Sequence, residues 1–205
     1  MSKYADEQVL VIKRALFDEL GDFHGVNLKV DHYLPTILEP ANNFFLQRDL
    51  AENDPSHKQI IPYAIFRHGD RFLHYIRGKK SGEQRLATKG SIGIGGHVNA
   101  EDFAAPSLER TTYTNGVERE VNEELCIRAG HTQKIIALLN DDTTEVGRVH
   151  LGVVHLFELD GDRVESNEDG ICDLTFLTRE ELHTRRDQLE TWSQICLDAL
   201  DALTE

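Results

Sequence analysis

Glu120, Glu123 and Glu124 place three carboxylates within about one and a half helical turns. Spacings of three and four residues bring them to one side of a helix, at ~100° per residue. Like charges so spaced destabilise a bare helix by about 0.2–0.5 kcal/mol per pair. A cluster that costs stability invites a compensating cation, and an all-oxygen donor set suits hard Mg²⁺ or Mn²⁺. The same residues would also serve as a solvated acidic face in a chain of net charge −14.

The surrounding residues favour the first reading. Arg119-Glu120-Val121-Asn122-Glu123-Glu124-Leu125-Cys126-Ile127, with Gly95-Gly96-His97-Val98 upstream, resembles the signature of the Nudix hydrolase superfamily, G-x5-E-x7-R-E-U-x-E-E-x-G-U, where U is bulky and aliphatic. Arg119, Glu120, Val121, Glu123, Glu124 and Ile127 match its second half. Two departures stand out. Cys126 occupies the position of a glycine, and the interval from Gly96 to Arg119 is nine residues longer than the family's. Counting on from Gly96 puts Asp102 where the first glutamate of the motif would stand, with the extra residues ahead of the helix. The stretches Gln59–Tyr63 and Ser91–His97 are similar to a bacterial branch of MutT-type phosphoesterases.

The resemblance implies a fold, a reaction and a set of roles. The fold is an α/β/α sandwich around a mixed sheet, spanning roughly residue 58 to the C-terminus. The reaction is hydrolysis of a phosphoanhydride in a nucleoside diphosphate linked to another group, with Mg²⁺ (or Mn²⁺) neutralising phosphate oxygens and lowering the pKa of bound water. Glu120 and Glu124 become the principal metal ligands, Glu123 a further one, and Gly95 offers its carbonyl, where the missing Cβ allows close approach. The general base comes from the motif, as Glu120, or from a later loop, as Glu145 in the run Asn140–Glu145. Arg85, beside Lys79 and Lys80, could grip a terminal phosphate, and His97 could touch the ligand. Tyr113 and Phe103, in the inserted stretch, offer rings for stacking. Each of these four also suits an ordinary surface or loop position. The proline and tyrosine that mark ADP-ribose and diadenosine-polyphosphate enzymes beyond the motif are absent, since the last of each are Pro106 and Tyr113. His150 and His155, five apart in an expected strand, face opposite sides and cannot readily share a zinc ion.

Composition narrows the partners. Twenty-two basic against thirty-six acidic residues argue against stable nucleic-acid binding, which rewards the opposite sign. Three cysteines (Cys126, Cys172, Cys196) have no metal-like spacing. The absence of an apolar run of spanning length or a signal-peptide pattern predicts a cytoplasmic protein with no membrane partner. A phosphate-containing small molecule is the expected ligand, and a homodimer the expected assembly.

The elements that would position these residues follow from periodicity. Val9, Ile12, Leu16, Phe17 and Leu20 predict an amphipathic helix from Ala5 to Leu20. Residues 1–57 read as an N-terminal extension packing on a main domain of residues 58–205. Ile60–Arg67 and Arg71–Arg77 flank His68-Gly69-Asp70 as a hairpin, and strands are predicted at Gln133–Leu139, Arg148–Leu159 and Asp173–Leu177. The carboxylate helix would start at Asn115 as N-cap, with Glu118 completing a capping-box variant. Val117, Val121 and Leu125 give it an apolar stripe, and Arg119 could hold Glu123 four residues on. Thr178 and Glu181 predict the capping box of one long C-terminal helix.

Two other readings share the motif. A non-catalytic domain could keep the fold to sense a nucleotide or bind a partner, and the cysteine replacement and stretched loop lean that way. An isomerase of the isopentenyl diphosphate type needs a positioned cysteine and a histidine-rich metal site, and none of the three cysteines sits in a strand-end context.

Overall fold

The structure is a computed structural model describing residues 6–78, 88–103, 111–168 and 170–204. Its contacts divide the chain into two compact units, one of residues 1–62, 96–119 and 137–153 and one of residues 63–95, 120–136 and 154–205.

In the first unit the run Val9–Ile12 is buried throughout and forms strand β1 (Gln8–Lys13). The helix expected from Ala5 is therefore corrected: only its second half is helical, as α1 (Arg14–Gly21). The reason lies in the neighbours. β1 pairs antiparallel with β3 (Asn43–Gln47) at Val9↔Leu46 and with β4 (His57–His68) at Val11↔Gln59, and Val9–Ile12 are buried on both faces of the strand, so they are apolar consecutively rather than alternately. β2 (Gly25–Asn27) pairs antiparallel with β9 (His131–Asn140), Gly25 opposite Asn140. Helix α2 (Val30–Ile37) carries Tyr33, whose ring meets Phe23 at 5.5 Å, while Phe23 meets Phe17 at 5.4 Å. These edge-on contacts join α1, Phe23 and α2 in one aromatic cluster. Helix α3 (Arg48–Ala51) follows β3 directly. In sequence, residues 22–57 carry Pro35, Pro40 and Pro55 and show no clear periodicity, so β2, α2, β3 and α3 are not marked there.

In the second unit the far end of β4 turns into β5 (Arg71–Arg77) through Gly69, at φ +61°, and Asp70, with His68 opposite Arg71. The predicted hairpin is thus present with its two-residue turn. β5 pairs antiparallel with β12 (Ile171–Thr178) and, at Tyr75 and Ile76, with β6 (Gly90–Ser91). β7 (Gly93–Gly95) runs antiparallel to β4, Tyr63 opposite Gly95. A Cβ at Gly93 would lie 2.3 Å from the Tyr63 ring, which explains a glycine at that position. β8 (Leu125–Ile127) pairs with β11 (Val164–Ser166). β4, β9 and β10 (His150–Leu159) contribute residues to both units.

The C-terminal helix is a second correction. Thr178 does form the predicted capping box with Glu181, but the helix it starts, α6, ends at Thr184. A new helix, α7 (Thr191–Asp198), begins at Glu190, whose carboxylate accepts the Ser193 N–H at 3.2 Å. The same carboxylate accepts the Tyr63 hydroxyl at 2.9 Å. A buried glutamate that caps one helix and binds a core tyrosine breaks the run that periodicity reads as continuous. α8 (Leu200–Thr204) closes the chain. Among the described residues no helix is long and apolar enough to cross a membrane.

Candidate active site

The motif helix α4 spans Thr112–Glu124. It starts four residues before the predicted point, because Thr111 rather than Asn115 caps it: the Thr114 N–H donates to the Thr111 hydroxyl at 3.3 Å. Asn115 lies inside the helix and donates to the Asp102 carbonyl at 2.9 Å. Gly116 stands one residue on, where a Cβ would meet Asp102 Oδ2 at 2.9 Å and the Val98 methyls at 3.1 Å. The glycine lets the helix lie close to the segment that follows the glycine pair.

Arg119 uses that proximity. Its Nε donates to Asp102 Oδ1 at 2.8 Å and its Nη2 to Asp102 Oδ2 at 3.0 Å, with a further bond from Nη2 to the His97 carbonyl at 2.8 Å. Asp102 also accepts the Asn99 N–H at 2.7 Å, and only 4% of its side chain is exposed. A forked guanidinium–carboxylate pair is the geometrically specific form of this contact. The pair forms between the two residues that motif counting aligns, across the nine extra residues.

At the other end of the helix, Val121 and Leu125 are buried, Glu120 and Glu124 are half-buried and Glu123 is exposed. The helix stops at Glu124, whose carbonyl accepts the Asn167 N–H at 2.9 Å, while the Asn167 side chain donates to the Asn122 carbonyl at 2.8 Å. Cys126 is then a residue of β8 opposite Glu165, not of the helix's last turn. Burial pushes the Glu124 carboxyl up to about 7; the positive charge of Arg77 opposes the rise, and Glu120, Glu168 and Glu123 add to it. Gly95, at the end of β7, carries the carbonyl assigned to the same role.

The other expected residues fall as follows. Glu145 opens the short helix α5 (Glu145–Arg148), exposed, with Thr144 as its cap. Its loop is held by Lys58, a fully buried ammonium that donates to Asn140 Oδ1 at 2.7 Å, Asp142 Oδ1 at 2.9 Å and the carbonyls of Gly147 and His150 at 3.2 Å. Tyr113 is buried, and burial pushes its phenol far up, so its ring offers no open face for stacking. Phe103 is 67% exposed. Arg85, with Lys79 and Lys80, lies outside the described residues. His97 is half-buried, and desolvation, then the charges of Arg48, His150 and Arg119, hold its imidazole well below the usual range. The described residues bring one group of potential ligand atoms within 4.8 Å of one another, and it is not the motif trio but Glu52, His97 and His150. Sequence reasoning tested His150 only against His155, which is buried elsewhere and bonded to Gln133 at 2.8 Å. Glu52 and Arg77 carried no signal in sequence, since nothing in local spacing ties them to the motif.

No family profile matches the chain. Protein YmaB of Bacillus subtilis (strain 168) is 37% identical over 164 residues, 76% of this chain and 77% of that protein. The crystal structure of Tm1382, a candidate Nudix hydrolase, is 34% identical, with a TM-score of 0.78 over 95% of this chain and 98% of that one. DR0079 from Deinococcus radiodurans, at 17% identity and a TM-score of 0.55 over 80% of this chain and 92% of that one, shares the fold.

Proposed function

From the Nudix superfamily, to which this chain belongs, we propose a divalent-metal-dependent hydrolase that cleaves a phosphoanhydride in a nucleoside diphosphate linked to another moiety. The observation that carries the reading is the Glu124 carboxyl, raised to about 7 by burial with Glu120, Glu168 and Glu123 beside it. Burial disfavours the charged form of Glu124, and Glu120, Glu168 and Glu123 work against the counter-charge of Arg77, so a further cation would favour ionisation, and the oxygen donors fit Mg²⁺ or Mn²⁺. Glu120, Glu123, Glu124 and the Gly95 carbonyl would hold the ion, which when bound neutralises phosphate oxygens and acidifies water.

The chain's own residues supply the rest. Arg119, forked onto Asp102, fixes the register of the helix that carries the carboxylates. The proton of the attacking water goes to Glu120 in the motif or to Glu145 in the later loop. The water oxygen bonds to phosphorus, the bridging P–O bond breaks, and the second phosphate leaves with that electron pair. His97, Arg85 and Phe103 belong to the same proposal as ligand contacts, as does a homodimer in the cytoplasm.

The non-catalytic alternative loses one of its supports. The stretched loop does not separate Asp102 from Arg119. The test is turnover of a panel of nucleoside diphosphate derivatives with Mg²⁺, beside Glu124→Gln. Expected is metal-dependent release that falls at least about 100-fold in the variant, equivalent to about 3 kcal/mol of barrier. Absence of turnover across the panel, with nucleotide binding unchanged by the substitution, would refute the hydrolase and favour a sensing domain.

A further inference from the structure

Glu52, His97 and His150 converge from three distant stretches of the chain: the end of α3, the segment after the glycine pair and the first residue of β10. Glu52 Oε1 lies 3.9 Å from His97 Nε2 and 3.9 Å from His150 Nε2. The two imidazole rings stand 5.6 Å apart at 63°. A distance of 3.9 Å is beyond hydrogen-bond reach, so these groups do not satisfy one another directly. It is close to the separation of two donors around one ion. With one donor atom from each residue inside 4.8 Å of the others, a point equidistant from all three sits within about 2.5 Å of each. Zinc–nitrogen and zinc–oxygen bonds of about 2.0–2.2 Å need only a few tenths of an ångström of contraction.

The supporting contacts resemble those of a built site. His150 Nδ1 lies 2.7 Å from the Val146 carbonyl, an acceptor only, so Nδ1 carries the proton and the neutral ring has its lone pair on Nε2, the atom nearest Glu52. Such a carbonyl contact is how ligating histidines are oriented. His97 is fixed through its backbone, where its carbonyl accepts from Arg119 at 2.8 Å. Its Nε2 is buried and, among the described residues, has no hydrogen-bond partner, which is unfavourable unless something fills the role. Two charges oppose a cation here, Arg119 and Arg48. Arg119 is forked onto Asp102. Arg48 donates from Nη1 to both Glu7 oxygens, at 3.1 and 3.0 Å, and its Nε reaches Glu52 only at 3.4 Å. The acidic partners match its charge.

We propose that Glu52, His97 and His150 bind one divalent transition-metal ion of the zinc class. Two imidazoles and one carboxylate prefer such a borderline ion to Mg²⁺, which seeks oxygen donors. Three protein ligands leave a fourth tetrahedral position for water or a ligand atom. The ion ties three separate segments of the first unit together, so its binding energy adds to the stability of that unit.

The test begins with protein stripped by a chelator and dialysed into Co²⁺, then Zn²⁺, with millimolar Mg²⁺ present throughout. Expected are one equivalent of bound cobalt with visible d–d absorption, its displacement by zinc, and a higher unfolding temperature with zinc. Glu52→Gln and His150→Gln should each weaken binding about 100-fold or more and lose the zinc-dependent rise. Their metal-free melting curves report whether they remain folded. Should either variant fail to fold, the wild-type cobalt spectrum decides, since histidine-nitrogen coordination is readable from it directly. Absence of a stoichiometric cobalt band overturns the proposal. So does binding that both variants retain and Glu120→Gln/Glu124→Gln abolishes, because the ion would then sit on the motif carboxylates.

Discussion

Replacing Asp102 by Asn isolates the electrostatic part of the clamp on the motif helix. The carboxamide keeps the shape of the carboxylate and one acceptor oxygen, but it removes the charge and presents an NH₂ to the guanidinium. Arg119 then loses one of two bonds, at 2.8 and 3.0 Å, to a side chain only 4% exposed. Removing one partner of a buried pair costs about 3–5 kcal/mol. Arg119 is 25% exposed and can recover some hydration, which places the expected loss near the lower figure, about 3 kcal/mol. For a chain of this length about 2–4 °C accompanies each kcal/mol, so the unfolding midpoint should fall by roughly 6–12 °C. Thermal unfolding followed by circular dichroism at neutral pH measures it. Arg119→Gln should cost a similar amount, and the double variant should recover about 2 kcal/mol of the summed loss, since the two residues share one interaction. Asp102→Glu, which places the family's usual residue type there, should keep most of the stability. A midpoint within 2 °C of wild type for Asp102→Asn, or strict additivity in the double variant, would refute the clamp.

Three further outcomes follow from the packing. Burial pushes the His155 imidazole down to about 4, below its unfolded value of about 6.5. The unfolded chain therefore binds the extra proton first, and the stability present above pH 6.5 is lost as pH falls toward 4, by up to about 3 kcal/mol; urea unfolding at pH 7, 5 and 4 should show His155→Leu flattening that decline. Gly93→Ala forces a methyl to within 2.3 Å of the Tyr63 ring and should cost about 2 kcal/mol or more by overpacking. Gly161→Ala, where the new Cβ meets Ala129 at an ordinary 3.7 Å, should leave the same thermal midpoint nearly unchanged. Lys58→Met strips the donor from the Gly147 and His150 carbonyls and from Asn140, and should cost about 3 kcal/mol, with faster amide exchange across 140–150 as the local readout.

What could be read from the sequence depended on how local the deciding contacts are. The β4–β5 turn was legible because Gly69 and Asp70 supply its backbone themselves, and the Thr178 cap because its partner is three residues away. The pairing of Asp102 with Arg119 was legible only through motif counting, since the inserted stretch hides it from spacing. Val9 and Ile12 misled: their three-residue interval fits a helix, yet the run Val9–Ile12 is a strand between β3 and β4 whose two faces are both buried. The single long helix expected from Thr178 misled similarly, because the break before α7 comes at Glu190, whose buried contact is with Tyr63, far back in the chain.

The site divides along the same line. Glu120, Glu123 and Glu124 share one helix, so their common face follows from periodicity alone, and what the fold adds is the environment of Glu124 beside Arg77. Glu52, His97 and His150 share no element, and their meeting depends on β1 admitting the N-terminal segment to the sheet and on Lys58 gathering the loop before β10. A sequence read for an extension packed on a finished domain has no reason to look for a ligand set there. That set draws Glu52 from the segment read as an extension, so truncation near residue 57 would remove one of its three donors and the β1–β4 pairing together.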